Sequence, residues 1–175
     1  MKSTLVAVAL ATLALTLSGC GANEDEQAAK ALSANILEEQ KKSDSADQFL
    51  KMDKKDADCI GNGLVEDIGT DQLKEYELLT KDLKANNSVT DVKMSTKDAE
   101  SATDVLFKCT DVEGMMQKAL DNSGQIPAEM RDCVNKALSD DVLRDMFSKM
   151  FAGKQDEAQQ ALIGPVTKCA TANAG

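Results

Sequence analysis

Five side chains in this chain offer thiol chemistry: Cys20, Cys59, Cys109, Cys133 and Cys169. A catalytic or redox cysteine wants a Cys-x-x-Cys partner or a basic setting that holds the thiolate. No two of these cysteines lie close in sequence, so the spacing favours staples over exchange chemistry. Histidine is absent. Its absence removes Ser-His and Cys-His nucleophile pairs, an imidazole base and any His-ligated metal. An enzyme built on this chain would have to work with carboxylates, Lys and Ser. No catalytic residue, cofactor or metal is assigned, and the expected class is non-enzymatic.

The acidic residues form two patterns. Asp56-Ala57-Asp58-Cys59-Ile60-Gly61, followed by Asp67, places acids and a glycine at the first, third, sixth and twelfth positions of a calcium loop. Ile60 stands where the fifth-position ligand belongs, and the segment carries helical periodicity, so a helix is expected instead. Asp140-Asp141 and Glu24-Asp25-Glu26 are adjacent in sequence. Neighbours on a helix point apart, so neither makes an acid pair of the glycosidase kind. They read as a helix N-terminal charge bias and a solvated tether.

Softer chemistry lies in Met115, Met116, Met130, Met146 and Met150, with Phe147 and Phe151 beside them. Thioethers hold soft metals or line pliable apolar pockets. The i, i+4 spacing of Met146 with Met150 and of Phe147 with Phe151 reads first as a core face. If the helices enclose a cavity, Met115, Met116, Met146, Phe147 and Met150 are the candidate ligand-facing residues.

At the N-terminus, Lys2 precedes an apolar run from Leu5 to Leu17. The run falls short of the about 20 residues that span a bilayer and suits the core of a secretory signal. It ends in Leu17-Ser18-Gly19-Cys20, which resembles the lipobox of bacterial lipoproteins. That resemblance implies removal of residues 1–19, a diacylglycerol on the Cys20 sulfur, and anchoring on the exported side of the cell membrane. Either the extracellular face or the periplasm fits. From Cys20 to residue 50 the composition is polar, with helical spacing only at Ala28, Leu32 and Ile36. A mobile tether is expected there.

With Cys20 assigned to lipid, the other four cysteines of an exported domain read as two disulfides. Three connectivities are open, and an internal repeat biases the choice. Asp58-Cys59-Ile60 to Ile68 and Asp132-Cys133-Val134 to Val142 share the pattern D-C-[IV]-x-x-x-L-x-x-D-[IV]. The halves close on Lys108-Cys109 and Lys168-Cys169. A duplicated unit favours Cys59–Cys109 and Cys133–Cys169, one staple per half, with the halves at 51–124 and 125–175.

These residues must be positioned by helices, because apolar residues recur at helical spacing almost throughout. Asp53 with Asp56 caps a run ending at Gly69, and Leu73, Tyr76, Leu79 and Leu83 form the next stripe. Ser95 or Thr96 opens a long helix running towards Gly124, and Pro127 and Ser139 open two more. Pro165 should kink or split the last. Only Ser88–Met94 alternates as a strand would. The expected fold is all-α, about six helices in two tandem disulfide-stapled halves, preceded by the signal peptide and flexible tether. Gly63 to Gly69, Leu73, Tyr76, Met94 to Ala99 and Cys109 together are similar to Cys-bearing helical repeats of actinobacterial envelope proteins. That resemblance implies the fold and an envelope setting, and it transfers no catalytic residue.

Net charge is −10, and removal of Lys2 with the signal leaves −11. That sign opposes nucleic-acid binding and flat contact with anionic lipid. Trp is absent and Tyr76 is the single tyrosine, so sugar and nucleobase sites lose their usual aromatic platforms. The expected function is a lipid-anchored interaction or scaffold domain with an envelope protein as partner. The alternative is a carrier of a small apolar ligand or lipid. The first expects an exposed apolar patch and no deep pocket; the second expects an interior cavity.

Overall fold

A computed structural model describes residues 20–42, 52–86, 92–123 and 127–172. The signal segment 1–19, the tether from 43 to 50 and the first part of the alternating stretch from Ser88 lie outside the described residues. Among the described residues the chain forms eight helices and no strand. They are α1 (Cys20–Lys42), α2 (Lys54–Ile68), α3 (Thr70–Glu75), α4 (Thr96–Cys109), α5 (Val112–Ser123), α6 (Ala128–Ala137), α7 (Asp140–Phe151) and α8 (Gln155–Ala172). No helix among them is long and apolar enough to cross a membrane.

Several of these boundaries are written in the side chains. Asp53 and Asp56 form a reciprocal capping box at the start of α2: Asp56 N donates to Asp53 Oδ1 at 2.9 Å, and Asp53 N donates to Asp56 Oδ2 at 3.2 Å. Ser95 caps α4 by accepting from Asp98 N at 3.2 Å. The expected long helix from Ser95 towards Gly124 is broken. Thr110 turns extended after α4, and Asp111 Oδ1 accepts from Gly114 N at 3.0 Å to start α5. An Asp that satisfies first-turn amides restarts a helix more cheaply than it continues one. The expected stripe at Leu79 and Leu83 is not helical either. After α3, Glu77 and Leu83 take left-handed backbone and Leu79 pairs with Ala85 in an isolated bridge. The apolar spacing is met by a compact turn instead. α8 continues through Pro165 without a split; Gly164 before it lacks the Cβ that a proline ring crowds.

Both disulfides join packed neighbours. Cys59–Cys109 links α2 to α4 and Cys133–Cys169 links α6 to α8, with Cα separations of 5.6 and 5.7 Å. Packing runs in the order α1, α2, α4, α7, α8, α6. One core crosses both halves, with Ile60, Val105, Leu106, Met116, Val134, Leu143 and Phe147 buried together. The two copies of the repeated pattern differ locally. Cys59 to Ile68 lies on one helix, whereas the second copy spans the break between α6 and α7. Ser139 with Asp140 and Asp141 is a helix start that the first copy lacks.

The largest departure is α1. Residues 20–42, expected as tether, form a helix whose Ala28, Ala29 and Leu32 are buried in a second core with Val65, Leu73 and Leu79. Ser33 Oγ donates to Asp58 Oδ1, and Thr70 Oγ1 donates to Asp25 Oδ1 at 2.6 Å. Close approach depends on Gly61, where a Cβ would stand 2.5 Å from the Ala29 carbonyl oxygen. Packing of one face, not propensity, holds such a polar helix.

Candidate functional site

Where α1, α2, α4 and α7 meet, the helices leave a cavity of about 300 Å³ that no polar atom lines. Ile36 comes from α1, Ile60 and Leu64 from α2, Ala102 and Leu106 from α4, and Phe147, Met150 and Phe151 from α7. Met52 precedes α2, Leu78 lies in the turn after α3, and Val92 with Met94 comes from the segment before α4; these four complete the lining, and the cavity stays partly open to solvent.

Each wall is held for a local reason. Phe147 lies one helical turn from Leu143 and Phe151, so one stripe of α7 faces inward. The segment at Val92 to Met94 is pinned by Met94 N donating to the Phe151 carbonyl at 2.9 Å. Gly153, with φ of +74°, follows α7 where this segment crosses; a Cβ there would stand 2.6 Å from Lys93 Cγ. On the solvent side of α4 and α7, the Arg144 guanidinium lies 4.3 Å from the Phe107 ring centre. It also pairs with Asp140 at 2.6 Å and Asp104 at 2.7 Å. Asp140 first, then Asp104, raises the Arg144 pKa above its ordinary value. Phe107 meets Phe147 edge to face at 6.0 Å, so this clasp backs a cavity wall.

Of the five candidate ligand-facing residues, Phe147 and Met150 line the cavity. Met150 is 36% exposed. Met116 is buried in the main core with Val112 and Val134, Met146 packs against that core, and Met115 is half-buried on α5. Met52, Met94 and Ile36 are lining residues that the sequence reading missed. Met52 and Met94 sit outside helices, so no periodicity marks them, and Ile36 lay in the supposed tether. Phe151 carried a signal, since it shares the stripe of Phe147.

The acidic patterns resolve into structure. Asp56 belongs to the capping box and Gly61 packs on α1. Asp58 pairs with Lys54 and accepts from Ser33, which together hold its carboxyl below the usual range. No group of three acidic or sulfur ligands able to hold a metal occurs among the described residues. Glu26 pairs with Lys30 on α1, which lowers its pKa. Asp98 is held low by hydrogen bonds from Tyr76 and then Ser95. These are pairings within and between helices, and none faces the cavity.

No known protein family, curated protein or solved structure matches this chain.

Proposed function

We propose that the protein is an exported, lipid-anchored helical domain that holds a small apolar molecule in the cavity between α1, α2, α4 and α7, without catalytic chemistry. One observation carries the reading: a cavity of about 300 Å³ whose lining is entirely apolar. Apolar surface left facing water in such a pocket is costly unless something covers it. The cavity is about twice the roughly 150 Å³ that holds benzene, which suits a chain of about ten to twelve carbons. Pairing of Cys59, Cys109, Cys133 and Cys169 in disulfides suits an oxidising compartment outside the cell membrane. Helix α1 begins at Cys20. Ile36, the α1 residue that lines the cavity, is then about 24 Å along the helix from the acylated residue, which keeps the cavity within reach of the bilayer as a source of apolar ligands.

The test is binding of an apolar fluorophore such as N-phenyl-1-naphthylamine to wild type and to Ala102→Leu. Ala102 faces the cavity and is buried, so leucine there fills part of the space. Saturable one-to-one binding that the variant loses, with helicity unchanged, supports the reading. Absence of binding, or equal binding by the variant, refutes it.

A second reading, docking of another envelope protein, has one feature in its favour. Ile163 is 58% exposed on α8 and lines a shallow apolar groove with Leu162 and Val166. Crosslinking from position 163 in the intact envelope tests it; recovery of no second polypeptide removes it.

A further inference from the structure

Three of the residues that line the cavity are methionines, Met52, Met94 and Met150, and they differ in access to solvent. Met94 is buried and Met52 half-buried. Met150 is 36% exposed and is the one exposed methionine among the described residues. A side chain that both lines the cavity and is exposed stands where the cavity meets solvent.

The rest of the chain offers an oxidant little else. Thiols are the usual first targets of a peroxide, but Cys59, Cys109, Cys133 and Cys169 are tied in disulfides. On the lipoprotein reading the Cys20 sulfur carries lipid. Trp and His are absent. A thioether is then the most readily oxidised group, and exposure selects among thioethers.

We propose that Met150 is an oxidation site, and that its sulfoxide switches the cavity from holding an apolar ligand to releasing it. The oxidant is hydrogen peroxide. A lone pair of the Met150 sulfur attacks one peroxide oxygen; the O–O bond breaks as the S–O bond forms. The departing hydroxide takes the remaining proton, so the thioether is oxidised to sulfoxide and the peroxide is reduced to water. No polar atom lines the cavity, so the new S=O dipole has no partner there and loses its water when an apolar ligand covers it. Methionine sulfoxide is returned to the thioether by its reductases, which makes the change reversible. This rests on the carrier reading above.

The test uses the full chain carrying Cys20→Ser, so that neither a thiol nor an attached acyl group competes. The protein is treated with hydrogen peroxide, the oxidised positions are mapped by peptide mass, and N-phenyl-1-naphthylamine binding is measured before and after. Met150 should gain oxygen ahead of Met52 and Met94, with buried Met116 as the unreactive control. Binding should weaken about tenfold with helicity unchanged, and methionine sulfoxide reductase should restore it. Met150→Leu, compared with its own untreated sample, should show no change at the same dose. Should that variant fold poorly, the time course on the Met150 protein supplies the answer, because loss of binding must track oxygen at position 150.

Oxidation of Met52 or Met94 ahead of Met150 overturns the assignment. Binding that survives complete oxidation of Met150, or that falls equally in Met150→Leu, overturns the switch and leaves the cavity a carrier site. Absence of probe binding before any treatment overturns the carrier reading and the switch with it.

Discussion

Gly61 is the point at which α1 rests on α2, and substitutions there should reverse the order expected of a helical glycine. On an open helix, Gly→Ala gains about 1 kcal/mol of propensity, and Gly→Val gains less. Here a Cβ meets the Ala29 carbonyl oxygen at 2.5 Å and Ser33 N at 3.2 Å, where ordinary contact begins at 3.4 Å. Both atoms are backbone, so no rotamer change relieves the overlap and α1 must move by nearly an ångström. Overpacking of this kind costs about 1–3 kcal/mol. Taking about 2 and subtracting the propensity gain leaves Gly61→Ala destabilised by about 1 kcal/mol. Gly61→Val adds two methyl groups beyond that Cβ with little propensity in return, for a loss of about 3 kcal/mol. In a domain of this size those losses lower Tm by about 3 °C and about 9 °C. Melting followed by circular dichroism reads both, with exposed Asn62→Ala on the same helix as a control that should hold or rise slightly. Because Ile36 on α1 lines the cavity, apolar probe binding should weaken in the same order. The reasoning is refuted if both variants melt above wild type with Ala highest, the order of an unpacked glycine. Residues 20–42 would then not be docked as described.

The disulfides close sequence separations of 50 and 36 residues, so the chain-entropy model assigns about 4 kcal/mol to each. Replacing either pair with alanine should cost that much in urea unfolding, the two agreeing within about 1 kcal/mol; a pair that costs almost nothing would show its staple idle. Tyr76 Oη donates to Asp98 Oδ2 at 2.6 Å and, with Ser95, keeps the Asp98 carboxyl below its ordinary pKa. A depressed folded pKa contributes stability that is present above the unfolded value of about 4 and lost as pH falls through the folded one. Tyr76→Phe should therefore cost about 1 kcal/mol at neutral pH, and the gap should narrow on acidification below about pH 4. A gap constant across that range would separate Tyr76 from Asp98.

The local chemistry of the chain was legible in one dimension. Capping side chains act within three or four residues of the amides they satisfy, so Asp53 with Asp56, Ser95 and Gly69 mark helix ends without knowledge of the fold. Stripes such as Leu143, Phe147 and Phe151 declare an inward face for the same reason. The two disulfides followed from a repeat, since cysteines at matching places in two units pair within each. The breaks at Thr110 and after Glu75 were less visible, because a helical stripe and a compact turn bury the same apolar residues.

What only the tertiary structure decided was which apolar faces meet. α1 is polar enough to read as tether, and its docking depends on Gly61 and Ser33 being opposed to Ala29 and Asp58 across a helix contact. The cavity is of the same kind. Its walls come from α1, α2, α4, α7 and the stretches before α2, after α3 and before α4, and its volume is what those side chains fail to fill. No single segment encodes a void. The sequence determined helices, caps and staples because those act over a few residues or through one repeat; packing across the chain determined the cavity.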